Sequence, residues 1–336
     1  MVAVVLFFTT GVTGLVTLIN NFDSGGFPDE IVPHEEYLGA DDDEIADEEY
    51  ENNDGGLLRP PQRTNFILIG TDHNLLADAI MVGTFYRDSG NIHLMSLPRD
   101  TVARIPQEHL DYMRSQGLRP PHTLKINELR AYGGQTGGVR NMNRQIEHML
   151  GVEFDYYIEV ELDGFRRLVD AIGGVEMYIP RRLRYHDPTA NPPTNIDVPA
   201  GLQLLDGQMA EGVVRYRRWP MGDIQRNEMQ MEFMTQLIRQ TLTREALMND
   251  PVELLRIALE ETNTNVGLSI IRYMPYVRNM NMDSVTTFEM PIRSLSMTIG
   301  DRPGFIDPDR DLLPGVIRDV FFAEFDETIF LGPRAE

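Results

Sequence analysis

Cysteine is absent from this chain of 336 residues, and lysine occurs only once, as Lys125. The absence of cysteine excludes disulfides, thiolate catalysis and cysteine-ligated metal sites. Positive charge is also scarce, because 30 basic residues face 52 acidic ones and the formal net charge is -22. A chain with no basic stripe cannot displace the counterions of nucleic acid, so we expect no nucleic acid partner.

Charge of either sign is missing from Met1–Phe22. About 20 apolar residues suffice to cross a bilayer as a helix, so residues 1–22 are predicted to form a transmembrane anchor. A cleaved signal peptide is the competing interpretation, but it would need a basic start and a small-residue cleavage site, and neither is present. The acidic flank that follows, without a basic one, favours the outer side of the membrane for the rest of the chain.

Residues 23–63 are predicted to be a disordered linker. They carry the acidic run Asp41–Asp54, followed by Gly55-Gly56 and Pro60-Pro61. Low hydrophobicity and repulsion between like charges extend such a segment. Much of the negative charge therefore lies outside the folded part, which we place at residues 64–330.

Short apolar runs alternate with helical patterns from Thr64 onward. Strands are predicted at 65–70, 79–85, 91–97, 156–160 and 175–179, and helices at 139–150, 163–172, 228–247 and 252–260. This mixture predicts the α/β class with a mixed central β-sheet flanked by helices.

Polar residues follow or precede three of the predicted strands. Asp72 follows the first strand, Asp78 immediately precedes the second, and Arg99 and Asp100 follow the third. Side chains at strand ends project into the crevice at the sheet edge, so these groups could converge there. Two carboxylates can hold Mg²⁺, which prefers oxygen ligands shared with substrate phosphates. Each aspartate taken alone also fits a loop cap.

Arginine is concentrated in a second block, Val214–Gln230. Arg215 and Arg217 alternate by two and share one face if this segment is a strand, whereas Asp223, Arg226 and Gln230 recur near one face of a helix start. Guanidinium groups gathered in an acidic protein point to an anionic partner, because their fork of donors matches phosphate or carboxylate oxygens. A surface salt-bridge network is the alternative.

Seven segments follow one another along the chain in a specific order. They are FILIGTD (66–72), DAIMV (78–82), SLPRDT (96–101), LKINELRAYGG (124–134), DYYIEVELDGFRRLVDAIGGVEMYIP (155–180), LDGQMAEGVVRYRR (205–218) and DIQRNEMQ (223–230). In this order they resemble the LytR-CpsA-Psr family. The resemblance implies the α-β-α fold of that family behind one N-terminal transmembrane helix. It also implies a single-pass protein of the cell membrane with an extracytoplasmic catalytic domain.

The resemblance further implies an activity. Members of the family transfer a glycopolymer, such as wall teichoic acid or capsular polysaccharide, from a polyprenyl-pyrophosphate carrier in the membrane lipid to peptidoglycan, through a phosphodiester link. Two alternatives remain open, namely a polyprenyl-pyrophosphate pyrophosphatase and a catalytically weak lipid-binding or regulatory module of the cell envelope.

The same resemblance assigns site residues by motif. Asp72 and Asp78 match the acidic pair that binds Mg²⁺ and, with Arg99, the catalytic positions. The positions that match pyrophosphate binding are Arg99, Lys125, Arg215, Arg217, Asp223, Arg226 and Gln230. Two positions depart from the family pattern, because Leu76 and Met229 stand where arginine is usual.

The carrier tail needs an apolar slot, and six residues of the predicted core are candidates for its lining. They are Phe66, Leu68, Ile80, Val82, Leu168 and Val169. Core packing is the ordinary role of such residues.

Overall fold

The computed structural model describes residues 62–72, 76–189, 193–241, 251–266, 276 and 284–324. The predicted anchor at 1–22 and nearly all of the predicted linker at 23–63 lie outside these residues. No helix within the described ranges combines the length and apolar character needed to cross a membrane.

The strands and helices follow one another along the whole described chain. The strands are β1 (Arg63–Thr71), β2 (Ala77–Tyr86), β3 (Ile92–Ser96), β4 (Val102–Arg104), β5 (Thr123–Lys125), β6 (Tyr156–Glu161), β7 (Val175–Ile179), β8 (Leu183–Asp187), β9 (Thr194–Val198), β10 (Gly201–Leu205), β11 (Thr262–Thr264), β12 (Val285–Glu289), β13 (Ile292–Ile299) and β14 (Arg302–Pro308). The helices are α1 (Gln107–Ser115), α2 (Gly134–Leu150), α3 (Leu162–Ala171), α4 (Gly207–Arg215), α5 (Asp223–Thr241), α6 (Pro251–Glu260) and α7 (Leu313–Phe321), with a 3₁₀ turn at Ile126–Ala131.

A six-stranded sheet forms the centre of the fold, in the order β11-β6-β1-β2-β3-β12. The pairs β1/β2, β2/β3 and β6/β11 are antiparallel, whereas β1/β6 and β3/β12 are parallel. This mixed sheet confirms the predicted class. The continuous apolar run in β1 is explained by burial on both faces, which is the usual situation for a central strand covered on both sides.

Helices cover the two faces of the sheet and enclose two separate cores. On one face, Phe66 and Leu68 of β1 pack with residues of α3, α4 and α5. On the other face, Ile67 and Ile69 pack with residues of α1, α2 and α7. Because successive side chains of a strand point to opposite faces, β1 contributes to both layers and produces the α-β-α arrangement.

A β-bulge interrupts the pairing of β1 with β2 at Asp78. Gly70 pairs with Ala79, but Thr71 pairs with Ala77, so Asp78 is an extra residue with no partner on β1. Bulges re-aim a side chain that would otherwise follow the regular alternation. Asp78 therefore lies inside β2, and not before it as predicted, and its direction is determined by the bulge.

Two local predictions from the arginine-rich block need correction. Arg215 is the last residue of helix α4, and Arg217 lies in the loop that follows, so the two do not share a strand face. The long helix begins at Asp223 and not at Glu228. Its predicted end at 247 lies outside the described residues. The early start matters because it places Asp223 and Arg226 in the first turn of α5.

Candidate functional site

Asp78 is held between two arginines that come from different parts of the chain. Arg99, in the loop after β3, donates through Nη1 to Asp78 Oδ1. Arg217, in the loop after α4, donates through Nη2 to the same oxygen at 3.1 Å. The bulge in β2 thus turns one carboxylate toward the two predicted arginine segments, which confirms that they meet in space.

Asp223, at the start of α5, extends this series of ion pairs. Its Oδ2 lies 3.6 Å from Arg99 Nη2, and its Oδ1 lies 3.2 Å from Arg226 Nη1. Arg226 is 2% exposed. The five residues form a continuous chain of ion pairs, Arg217–Asp78–Arg99–Asp223–Arg226, which we name the guanidinium cluster.

The cluster carries three positive and two negative groups, and two of its guanidinium N–H groups have no acceptor among the described residues. Burial lowers the pKa of Arg226 to about 10, and the charge of Arg99 adds to this effect. Burial alone would lower the pKa of Arg99. The negative charges of Asp78, Asp223 and Asp100 outweigh this effect and raise the pKa above its ordinary value. The Nε atoms of both arginines are buried without a hydrogen-bond partner in the described part of the chain. Buried, charged and unsatisfied donors are the features of an anion site.

An apolar cavity of about 50 Å³ adjoins the cluster on the face covered by α3, α4 and α5. Its apolar wall includes Met81, Phe165 and Val214, and Asp78 and Arg215 give it a polar end. One water needs roughly 10–15 Å³ on this measure, so the cavity has room for only a few atoms. A hydrocarbon chain could enter only if the helices above the sheet separated.

The residues predicted to line the apolar slot are therefore wrong. Phe66, Leu68, Leu168 and Val169 lie in the core on the cavity's side, but each is 0–2% exposed and none borders the cavity. Ile80 and Val82 lie on the opposite face of the sheet. The alternation of β2 explains the error, because Met81 is the residue that faces this side.

Three predicted anion-binding residues have partners outside the cluster. Lys125 Nζ lies 3.2 Å from Asp100 Oδ1. Arg215 Nη1 donates to Glu211 Oε1 at 2.6 Å, one helical turn away. Gln230 Nε2 donates to the Val214 carbonyl at 2.9 Å and so fixes α5 to α4. Arg215 and Gln230 still border the apolar cavity, whereas Lys125 lies beside the β13–β14 hairpin, near Gly304.

Asp72 closes the short loop that connects β1 with β2. Its Oδ1 accepts a hydrogen bond from the Leu76 N–H at 3.3 Å, and its own N–H donates to the Leu76 carbonyl at 3.2 Å. This geometry is that of a loop cap. Within the described ranges no group of three or more His, Cys, Asp or Glu residues could hold a metal ion.

Sequence reasoning missed Glu211, an acidic residue that holds two arginines in place, and assigned no role to Asp100, which it had located at the sheet edge. Glu211 accepts from both Arg166 and Arg215, and it is only 8% exposed. Asp100 pairs with Lys125 and adds to the field at Arg99. The spacing of Glu211 and Arg215, four residues apart in a helix, was an available signal for the first pair.

The match to a family model decides the classification, because it extends over residues 39–302. The chain belongs to the LytR_cpsA_psr family. Relatives from Corynebacterium glutamicum are the probable cell wall biosynthesis protein LcpB, 33% identical over 51% of this chain and 36% of the relative, and the cell wall biosynthesis protein LcpA, 28% identical over 68% and 45%. The chain thus spans less than half the length of these curated relatives.

Other similar proteins include a named transferase and two solved structures. The polyisoprenyl-teichoic acid–peptidoglycan teichoic acid transferase TagU of Bacillus anthracis is 29% identical over 38% of each chain. B. subtilis TagV superposes with a TM-score of 0.62 at 19% identity, covering 78% of this chain and 96% of its own. TagT bound to LIIa-WTA gives 0.58 at 20% identity, covering 77% and 90%. At these identities the structural likeness establishes the shared fold.

Arg226 offers a test of the buried anion site that does not require turnover. The folded-state pKa of about 10 lies below the ordinary pKa of an arginine, so at neutral pH the charged guanidinium destabilises the ligand-free fold. We expect Arg226→Met to raise the Tm of the ligand-free protein by about 2–4 °C, the shift that about 1 kcal/mol produces in a domain of this size. We also expect it to weaken binding of inorganic pyrophosphate at least about tenfold.

Differential scanning fluorimetry with and without pyrophosphate measures both effects. Arg119→Met, at an exposed position, controls for the loss of one positive charge. A lower Tm together with unchanged pyrophosphate binding would show that Arg226 is a structural residue.

Proposed function

We propose that this chain transfers a glycopolymer from a polyprenyl-pyrophosphate carrier to peptidoglycan and forms a phosphodiester link. The observation that carries the proposal is the buried guanidinium cluster, because its arginines match the anionic diphosphate of a polyprenyl pyrophosphate. The small apolar cavity beside the cluster is where the hydrocarbon tail would enter once the helices above the sheet separate. Family membership and the named activity of TagU support the same reaction.

The arginines supply most of the chemistry in this proposal. Arg99, Arg217 and Arg226 bind the oxygens of the diphosphate, and the unpaired Nε groups of Arg99 and Arg226 become donors to it. Phosphoryl transfer depends mainly on positioning and charge neutralisation, and these groups are already oriented before the substrate arrives. Asp78 and Asp223 hold the guanidinium planes in the ligand-free state.

Mg²⁺ is part of the proposal as a cofactor. Asp78 binds its arginines through Oδ1, and Asp72 accepts the Leu76 N–H through Oδ1. Mg²⁺ commonly takes only one or two carboxylates together with substrate phosphates, and Asp72 and Asp78 fit that requirement. When bound, the ion would neutralise part of the diphosphate charge.

We place the protein in the cell membrane as a single-pass protein with residues 64–330 outside the cytoplasm. The uncharged segment Met1–Phe22 supports the anchor. The location follows from the proposed substrates, since the lipid carrier lies in the membrane and peptidoglycan lies outside it.

The test is to incubate the full chain, in detergent, with a polyprenyl-pyrophosphate-linked saccharide, Mg²⁺ and a peptidoglycan acceptor. We expect the saccharide to become attached to the acceptor and polyprenyl monophosphate to be released, both detected by mass spectrometry. Release without attachment to the acceptor would instead indicate a pyrophosphatase. Binding with neither product would indicate a lipid-binding or regulatory module, and would contradict the proposed transferase.

A further inference from the structure

A second cavity, of about 310 Å³, lies beside the start of α5. The first turns of α5 form one wall, with Asp223 and Asn227, and the β13–β14 hairpin forms the other, with Leu295 and Gly304. Ser96 and Glu289 border it at the sheet edge. Its volume falls within the range of small-molecule sites, and the proposed reaction needs a second substrate.

The two cavities are neighbours, joined by residues of β2, β3 and β12. Ser96 of β3 pairs with Met81 of β2, and Met81 borders the first cavity. Glu289 of β12 pairs with Ser96 from the other side, so the three side chains stand in a row across the sheet. Asp223 borders the second cavity and also binds Arg99 and Arg226. A group bound here therefore lies next to the guanidinium cluster.

The chemistry of this second cavity is opposite to that of the cluster. Asp100, Asp223 and Glu289 place three carboxylates around it, which disfavours an anion and favours groups that donate hydrogen bonds. Burial, followed by the charge of Glu228, raises the pKa of Glu289. Leu295, 53% exposed, and Met221, 59% exposed, add apolar surface at its rim. Carboxylate acceptors beside apolar side chains suit a hydroxyl-rich ring.

Ser96 adds a neutral polar group to the same wall. The residue borders the cavity and is only 5% exposed. A serine hydroxyl both donates and accepts hydrogen bonds, so it can bind a hydroxyl or an amide group of a ligand.

We propose that this cavity binds the saccharide acceptor and presents one of its hydroxyl groups to the phosphorus atom held by the guanidinium cluster. The proposal rests on the proposed function and assigns its second substrate. The acceptor oxygen forms a bond to the phosphorus that carries the glycopolymer, and the bond from that phosphorus to the bridging oxygen breaks. The bridging oxygen leaves with its electron pair as part of polyprenyl monophosphate, and the hydroxyl proton passes to Asp223.

Variants that fill or alter the cavity test this assignment. In Leu295→Trp the larger side chain occupies the cavity from its rim, and in Glu289→Gln an acceptor is weakened without a change of shape. We expect each to raise the KM for a soluble peptidoglycan glycan fragment about tenfold or more. The KM for the lipid-linked donor should stay within a factor of two. Isothermal titration calorimetry of the full chain with the same fragment should show the same loss of affinity.

Matched controls are Leu202→Trp, on the exposed face of β10, and Glu108→Gln, on the exposed face of α1. If the wild type transfers but the cavity variants keep the acceptor KM, the acceptor assignment is wrong and the transferase survives. If the wild type transfers nothing, the proposed function itself fails. Loss of Ca²⁺ or Mg²⁺ binding in Glu289→Gln, with the glycan affinity unchanged, would assign the cavity to a cation and overturn the proposal.

Discussion

Replacing Arg99 by alanine is expected to lower kcat for glycopolymer transfer at least about a thousandfold. Arg99 is the central member of the guanidinium cluster, because its two terminal nitrogens reach Asp78 and Asp223. Its removal takes away one cation at the diphosphate, and the negative charges of Asp78 and Asp223 are then less well neutralised. The resulting field is less positive where negative charge must be stabilised.

Arg99→Lys separates charge from geometry in the same assay. Lysine keeps the positive charge but cannot bridge two carboxylates with a planar fork. We therefore expect Arg99→Lys to restore only a small part of the kcat that is lost in Arg99→Ala. Arg114→Ala removes an exposed arginine, whose partner is Asp111, and should leave kcat unchanged. An Arg99→Ala enzyme within tenfold of the wild type would exclude Arg99 from the catalytic machinery.

Breaking the buried ion pair of Arg130 and Glu159 is expected to cost about 3–5 kcal/mol of unfolding free energy. The two side chains are 1% and 3% exposed. Arg130 Nη2 donates to Glu159 Oε2 at 2.9 Å, its Nη1 donates to the Gly134 carbonyl at 2.8 Å, and Asn263 Nδ2 donates to Glu159 Oε2 at 2.8 Å. Arg130→Met leaves Glu159 charged and buried with one amide partner, and chemical denaturation measures the loss.

The double variant Arg130→Met/Glu159→Leu is the informative control, since it removes both charges. We expect it to recover most of the lost stability, because well-packed apolar residues often replace a buried ion pair without net cost. Arg256→Ala, which breaks the exposed pair with Glu260, should change the unfolding free energy by less than about 1 kcal/mol. If Arg130→Met costs no more than that, the buried pair does not stabilise the sheet.

The layered fold was predictable because several of its strands have a clear local sequence pattern. β1, β6 and β7 were predicted to within two residues, since each is a short apolar run bounded by turn residues or glycine. The β2–β3 connection was also predictable, and Gly90 adopts the positive φ of 75° that its turn requires. The pairing of β3 with β12 had no local signal, because it joins segments from opposite ends of the folded part.

The candidate site was predictable in its membership but not in its geometry. The motifs identified Asp78, Arg99 and Arg226, and the structure brings them together. The bulge at Asp78 was not foreseen, because pairing register depends on two strands at once. Met229 illustrates the same limit. The resemblance to the family leads us to expect arginine at this position, yet Met229 is 8% exposed and lies in the apolar core.

The order of strands in the central sheet has a consequence for how the protein acquires its site during folding. β1, β2 and β3 pair with their sequence neighbours, so this meander needs only short loops to close. The parallel partners β6 and β12 must come from distant parts of the chain, and contacts of that kind form slowly because loop closure precedes any gain in energy. Asp78 and Arg99 belong to the meander, whereas Asp223 and Arg226 arrive with α5. Refolding kinetics should therefore show pyrophosphate affinity emerging in the last phase, after most of the strand signal has developed.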